Sequence, residues 1–185
     1  MRPDFEARVV FSEDEISRRV RELGRQITSD YLREHEAPGP LAVVSILKGG
    51  FIFLADLVRS IRLDLTIDFM AISSYAGSER GSGGVKILKD LSESVYGQDV
   101  LVVEDIVDTG LTLAYILRNL ASRGARELKV CTLLDRAARR IAPLSVDYRG
   151  FEVGEEYLVG YGLGHQQKWR NLRYICAPLD LPERP

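Results

Sequence analysis

The stretch Asp99–Leu117, "DVLVVEDIVDTGLTLAYIL", changes character halfway along. An apolar run, Val100 to Val103, stops at two adjacent acids, Glu104 and Asp105. A third acid, Asp108, follows, then Thr109, Gly110 and Thr112, after which apolar residues recur at helical spacing. The pattern predicts a buried strand, a small polar turn and a helix. Single acids at such junctions commonly serve as caps or solvated turn residues. Three carboxylates and two hydroxyls within nine residues are a different matter. Crowded like charges destabilise a fold unless a cation or donor groups compensate them.

The segment Asp108–Thr112 sits where a helix begins, so free backbone N–H groups and the helix dipole favour an anion there. Gly110 lets the backbone close around such an anion, and Thr109 and Thr112 offer hydroxyl donors. The sequence reads as a phosphate cradle, although it lacks the Gly-Lys-Ser/Thr ending of a P-loop and contains no GxGxxG turn. Glu104 and Asp105 accept hydrogen bonds only, which suits sugar hydroxyls or a hard cation such as Mg²⁺. One phosphate, one diol and one divalent ion together describe a phosphorylated ribose.

Upstream, "FSEDEISRRVRELGRQITSDYLREH" opens with a capping box, Ser12 and Glu15, and places Ile16, Val20, Leu23, Ile27 and Tyr31 on one helical face. "LAVVSIL" (Leu41–Leu47) is continuously apolar, as a strand buried on both faces requires. "KGGF" predicts a tight turn, "IFLADLVRSI" a helix and "LTIDFMAISSY" the next strand. "AGSERGSGG" (Ala76–Gly84) has almost no apolar anchor and reads as a mobile loop. "VKILKDL" and "DVLVVED" predict strands, "LTLAYILRNLASRGA" a helix stopped by Gly124, and "LKVCTLLD" another strand; Ala142–Leu181 alternates short strands with loops.

Repeated strand–turn–helix units favour an α/β fold with a central, mainly parallel sheet flanked by helices. In such sheets ligands bind beyond the carboxyl ends of the strands, which is where Glu104 and Asp105 fall.

The 185 residues suffice for one domain with a core covered on both faces, and no linker divides them. A net charge of −2 gives no sign of a polyanionic partner such as nucleic acid. Cys131 and Cys176 each lie in an apolar run without a second ligand type at metal spacing, which predicts buried thiols in a reducing compartment. The acidic N-terminus lacks the apolar core of a signal peptide, and no run approaches the ~20 apolar residues of a membrane span. The expected location is the cytoplasm.

"VLVVEDIVDTGLTL" resembles the 5-phosphoribosyl-1-diphosphate (PRPP) binding motif of type I phosphoribosyltransferases. "SILKGGFIFLADL", "ISSY", "VDYRGFEVGEEYLVGYGL" and "KWRNL" resemble, in order, the diphosphate loop, lid start, base-binding hood and C-terminal arginine of the hypoxanthine/guanine branch. The resemblance implies a core of about 35–140, a hood built from the N-terminal segment and about 142–181, and purine salvage from PRPP to hypoxanthine or guanine. Glu104 and Asp105 would then hold the ribose hydroxyls with Mg²⁺ nearby. Asp108, Thr109, Gly110, Leu111 and Thr112 would hold the 5′-phosphate, Asp108 also taking the proton at purine N7. Lys48, Gly49 and Arg170 would bind diphosphate, and Ser74 and Tyr75 would begin the loop that closes over it. Tyr157 would stack on the base while the Leu158 main chain reads its edge. The family also implies a homodimer or homotetramer.

Two positions depart from that pattern. Arg136 in "LLDRAARR" stands where the family places a lysine against the purine 6-oxo group; charge and donors persist, but the planar fork is larger. Gly164, followed by His165 in "GYGLGH", stands where the family has an aspartate near a second Mg²⁺. The missing carboxylate predicts a weakened second metal site and an altered balance among hypoxanthine, guanine and xanthine. Imidazole is a poor Mg²⁺ ligand, so His165 does not replace it. The other readings are a xanthine-preferring enzyme of the same family, or a PRPP-sensing regulator that binds nucleic acid, with "DRAARR" as a small basic patch.

Overall fold

The computed structural model describes residues 5–36, 39–75 and 84–179; the loop expected at Ala76–Gly84 lies almost wholly outside them. Ser12 caps helix α1 (Glu13–Glu34) through the reciprocal box read from the sequence: Ser12 N–H donates to Glu15 Oε2 at 2.9 Å, and Glu15 N–H to Ser12 Oγ at 3.3 Å. Its five periodic apolar residues, Ile16, Val20, Leu23, Ile27 and Tyr31, are all buried. Strand β2 (Leu41–Leu47), helix α2 (Phe51–Val58), β3 (Leu65–Tyr75), β4 (Gly84–Lys89), β5 (Asp99–Val107), helix α3 (Leu111–Ser122) and β6 (Glu127–Asp135) follow.

Three further strands complete the chain. The first, β1 (Ala7–Phe11), precedes α1; β7 (Tyr148–Glu152) and β8 (Ile175–Pro178) close the order. β1 was not expected from the sequence, and it pairs antiparallel with β8. β7 falls in the segment assigned above to the hood, yet it joins the main sheet, parallel to β6.

The main sheet runs β4-β3-β2-β5-β6-β7, parallel except for the antiparallel edge strand β4. Alternation along β5 sorts its side chains to two cores. Leu101 and Val103 pack with α1 and α2 residues such as Leu23, Phe53 and Leu57; Val100 and Val102 pack with Leu113, Ile116 and Leu120 of α3. Each such fully buried side chain contributes about 1.5–3 kcal/mol. Helices thus cover both faces, which is why β2 and β5 are apolar without a break.

The chain runs outward from β2 to β3 and β4, then returns to β5 on the other side of β2. The strand order therefore reverses between β2 and β5, and the crevice at their carboxyl ends is where such sheets bind ligands. Above it sits a small layer built from β1, β8 and the loop between β7 and β8. Val159, Leu172 and Cys176 form its core, with Phe5 and Trp169 packed alongside. Both cysteines are free and buried, and burial raises the pKa of each thiol. Among the described residues no helix is long and apolar enough to cross a membrane.

Candidate active site

β2 ends at Leu47, and a cis peptide joins it to Lys48. The turn Lys48–Gly50 then lies directly against the end of β5: a Cβ on Gly49 would overlap the Asp105 carboxylate. Gly49 is therefore required by space, and the Lys48 side chain is left exposed.

Glu104 is buried, and its pKa is pushed well above the ordinary carboxylate value by burial and by the neighbouring Asp105 charge. Burial also raises Asp105, offset in part by the Ile106 N–H at 2.9 Å and by the Arg170 charge. Two adjacent acids that resist ionisation suit a site completed by a cation or by hydroxyl donors.

Four residues further on, Asp108 leads into the start of α3. The helix N-cap is Gly110, at φ +77°, rather than Asp108. Gly110 also lacks room for a side chain, since a Cβ would meet Leu144 Cδ2 at 2.9 Å. No side chain caps α3, and the first-turn amides of Leu111, Thr112 and Leu113 have no helical carbonyl to bind. Thr109 Oγ1 lies 3.5 Å from the Leu111 N–H. Asp108, Thr109, Gly110 and Thr112 line a cavity of about 260 Å³ together with Glu104, Asp105 and Gly49. Leu111 is exposed and contributes its backbone only.

A second cavity of about 200 Å³ shares Gly49, Asp105 and Ile106 with the first and is walled by Arg136, Tyr157, Leu158, Leu163, Gly164 and Arg170. Arg136 is 2% exposed, the largest fully buried side chain among the described residues. Its Nε donates to Gly154 O at 2.9 Å and its Nη2 to Glu156 O, which leaves Nη1 turned toward Asp108 Oδ2 at 3.5 Å. Arg139 Nε approaches the other Asp108 oxygen at 3.2 Å. Two guanidiniums thus fix the direction of the Asp108 carboxylate.

The Tyr157 hydroxyl donates to Gly164 O at 3.3 Å and lies 3.2 Å from His165 Nδ1, while the imidazole stacks on Trp169. Arg170 Nη1 donates to Gly162 O at 2.7 Å. Ser74 and Tyr75 have backbones paired with Val85 and Gly84, so they are the last residues of strand β3, as the run "LTIDFMAISSY" predicts.

Sequence reading missed Arg139, and it also missed Tyr161 and Gly162. The Tyr161 hydroxyl donates to Asp56 of α2 at 2.7 Å, and a Cβ on Gly162 would overlap the Gly49 carbonyl. The "DRAARR" run was the available signal for Arg139, but it is no outward basic patch: Arg136 and Arg139 face Asp108, and Arg140 pairs with buried Asp135.

Residues 12–167 match the phosphoribosyl transferase domain family. The chain belongs to the phosphoribosyl transferase family. The hypoxanthine-guanine phosphoribosyltransferase of Bacillus subtilis is 46% identical over 175 residues, covering 95% of this chain and 94% of that protein. The enzyme of the same name from Mycobacterium tuberculosis strain H37Rv is 44% identical over 168 residues, 90% of this chain and 83% of its own. A crystal structure of a Staphylococcus aureus hypoxanthine phosphoribosyltransferase superposes with a TM-score of 0.86 at 42% identity, covering 95% of this chain and 92% of the other. As a phosphoribosyltransferase, the chain carries its family's α/β fold, with the central mostly parallel sheet expected from the sequence.

Proposed function

We propose that this phosphoribosyltransferase transfers the 5-phosphoribosyl group of PRPP to a 6-oxopurine, hypoxanthine and also guanine, releasing diphosphate and a nucleoside 5′-monophosphate. One observation carries the reading. The first-turn amides of α3, the Glu104–Asp105 pair, the Gly49 turn and the Arg136–Tyr157 wall line two cavities that share residues. The reaction's substrates present a phosphate on C5′, a ribose, and at C1′ a departing diphosphate and an entering base, and the two adjoining cavities offer a partner for each.

The α3 amides with the Thr109 and Thr112 hydroxyls hold the 5′-phosphate. Glu104 and Asp105 accept from the ribose hydroxyls. The donor pair of a buried and a partly exposed carboxylate also fits Mg²⁺, which, when bound, would neutralise charge on the diphosphate. The bond from C1′ to the diphosphate oxygen breaks with its electron pair leaving on diphosphate. The lone pair of purine N9 forms the new bond to C1′, and the N7 proton passes to Asp108. Positive charge develops on the ribose during the step, and the nearby carboxylates stabilise it. Arg136 Nη1 donates to the 6-oxo group, Tyr157 stacks on the ring, the Leu158 main chain meets the base edge, and Arg170 with the Lys48–Gly49 backbone receives diphosphate. Ser74 and Tyr75, at the end of β3, serve the diphosphate side of the site. We read the chain as a cytoplasmic homodimer or homotetramer, which light scattering checks.

Steady-state assays with PRPP, Mg²⁺ and each of hypoxanthine, guanine, xanthine and adenine test the reading. Turnover with hypoxanthine and guanine, and none with adenine, is the expected result; no turnover with any base overturns it.

A further inference from the structure

Gly164 does not leave a gap in the wall of the second cavity. A Cβ at this position would stand 2.9 Å from Arg170 Cγ and Cζ and 2.9 Å from the Lys168 carbonyl. The Arg170 side chain therefore lies across the glycine, in space that any residue with a side chain would need. It is held there by its Nη1 bond to Gly162 O, while the Gly162 N–H donates back to Arg170 O at 2.8 Å. His165, the neighbouring candidate ligand, is engaged with Tyr157 and stacked on Trp169.

Among the described residues, the acids lining the two cavities are Glu104, Asp105 and Asp108. Asp108 already faces two arginines, so only the Glu104–Asp105 pair presents carboxylates to a metal. A dication on the Gly164 wall would meet a fixed guanidinium and no protein carboxylate, only the oxygens of the diphosphate that the guanidinium itself engages, and like charges at close range repel. The Arg170 fork, by contrast, matches phosphate oxygens directly.

Resting on the PRPP reading above, in which Arg170 receives diphosphate, we propose that this wall takes no second metal and that the enzyme binds PRPP with one divalent ion, held on the Glu104–Asp105 side. Gly164 is what allows the arginine to lie there. The residues of this wall do not fit a second metal, so no step of the reaction runs through one.

The test counts metal rather than turnover. The intact protein is titrated with Mn²⁺ at saturating PRPP without a base, bound ion being counted by electron paramagnetic resonance, and the titration is repeated with inorganic diphosphate. One Mn²⁺ per chain is expected, and two per chain overturn the proposal while leaving the PRPP reading intact. Failure to retain PRPP or diphosphate at any Mn²⁺ concentration overturns both. Arg170→Gln should weaken diphosphate binding about tenfold or more without changing the metal count, with Arg170→Lys partly restoring it; unchanged affinity in Arg170→Gln rejects the role given to the arginine. Gly164→Ala keeps the wall free of a carboxylate but crowds Arg170, and it should weaken diphosphate binding in the same direction. An Ala variant that binds diphosphate as the natural protein does would reject the claim that Gly164 makes room for the arginine.

Discussion

Strand β5 carries acids at both ends, and they live in opposite electrostatic conditions. At its amino end Asp99 is 3% exposed and fully partnered: Arg126 grips both its oxygens, and the Tyr31 hydroxyl donates at 2.7 Å. The Arg126 guanidinium, helped by Tyr31, holds the Asp99 carboxyl below its ordinary value, while burial and Asp99 push the Tyr31 hydroxyl up to about 12. At the carboxyl end burial raises both Glu104 and Asp105, and the Asp105 charge raises Glu104 further. One end of the strand is finished within the fold. The other is completed only by what binds there, which is how a functional site departs from a structural one.

The sharpest way to break this contrast is to neutralise both carboxyl-end acids. Glu104→Gln with Asp105→Asn should lower kcat/KM by about a thousandfold, the scale of losing fixed charges that stabilise a transition state. Its melting temperature should not fall, because the change relieves buried repulsion. A large drop in melting temperature would mean that the pair is structural after all.

Gly49→Ala probes the same end through packing. The added methyl has no room beside Asp105, so PRPP affinity should fall about a hundredfold from a misplacement near 1 Å. Calorimetric titration with PRPP and Mg²⁺ measures it.

The amino end should answer in the other currency. Asp99→Asn loses charged hydrogen bonds to an exposed arginine, and solvent screening at that arginine keeps the loss modest. A chain of this length should then melt a few degrees lower. The activity of the folded protein should be unchanged, and a lower kcat would couple the two ends.

The smallest effect lies in pH dependence, and its sign differs between the ends. Asp99 titrates below its ordinary 3.8 in the folded state, so its contribution is present above that value and fades as acid protonates it. Glu104 titrates above its ordinary 4.5 when folded. In that window the folded chain binds more protons than the unfolded one, so stability declines as pH rises. Urea midpoints in metal-free buffer from about pH 5 to about pH 8 should drift downward, and Glu104→Gln should flatten the drift.

The sequence displayed the central strands openly because burial on both faces leaves long apolar runs, as in Leu41–Leu47 and Val100–Val103. Helix α1 was legible through its cap and its period. The run around Cys176 showed β8 as a short apolar strand, but β1 and its pairing with β8 were not legible, since they join residues such as Ala7 and Pro178 across nearly the whole chain and no local pattern encodes a partner. Residue types in the site were legible, but orientations were not. Nothing in "DRAARR" says that Arg139 turns back to Asp108, or that two carbonyls hold Arg136. The loop near Arg170 hides its shape for another reason: Tyr161, Gln166, Gln167 and Trp169 all adopt positive φ without being glycine. Such backbones persist only when their surroundings impose them.

Gly49 and Gly162 meet backbone to backbone, with no side chain between them to absorb a shift. The Lys48–Gly50 turn and the loop that bears Arg170 are therefore in direct contact, and neither has room to shift toward the other. A substitution that widens the spacing on one side of this contact should therefore be felt on the other, a coupling that a double-mutant cycle measures.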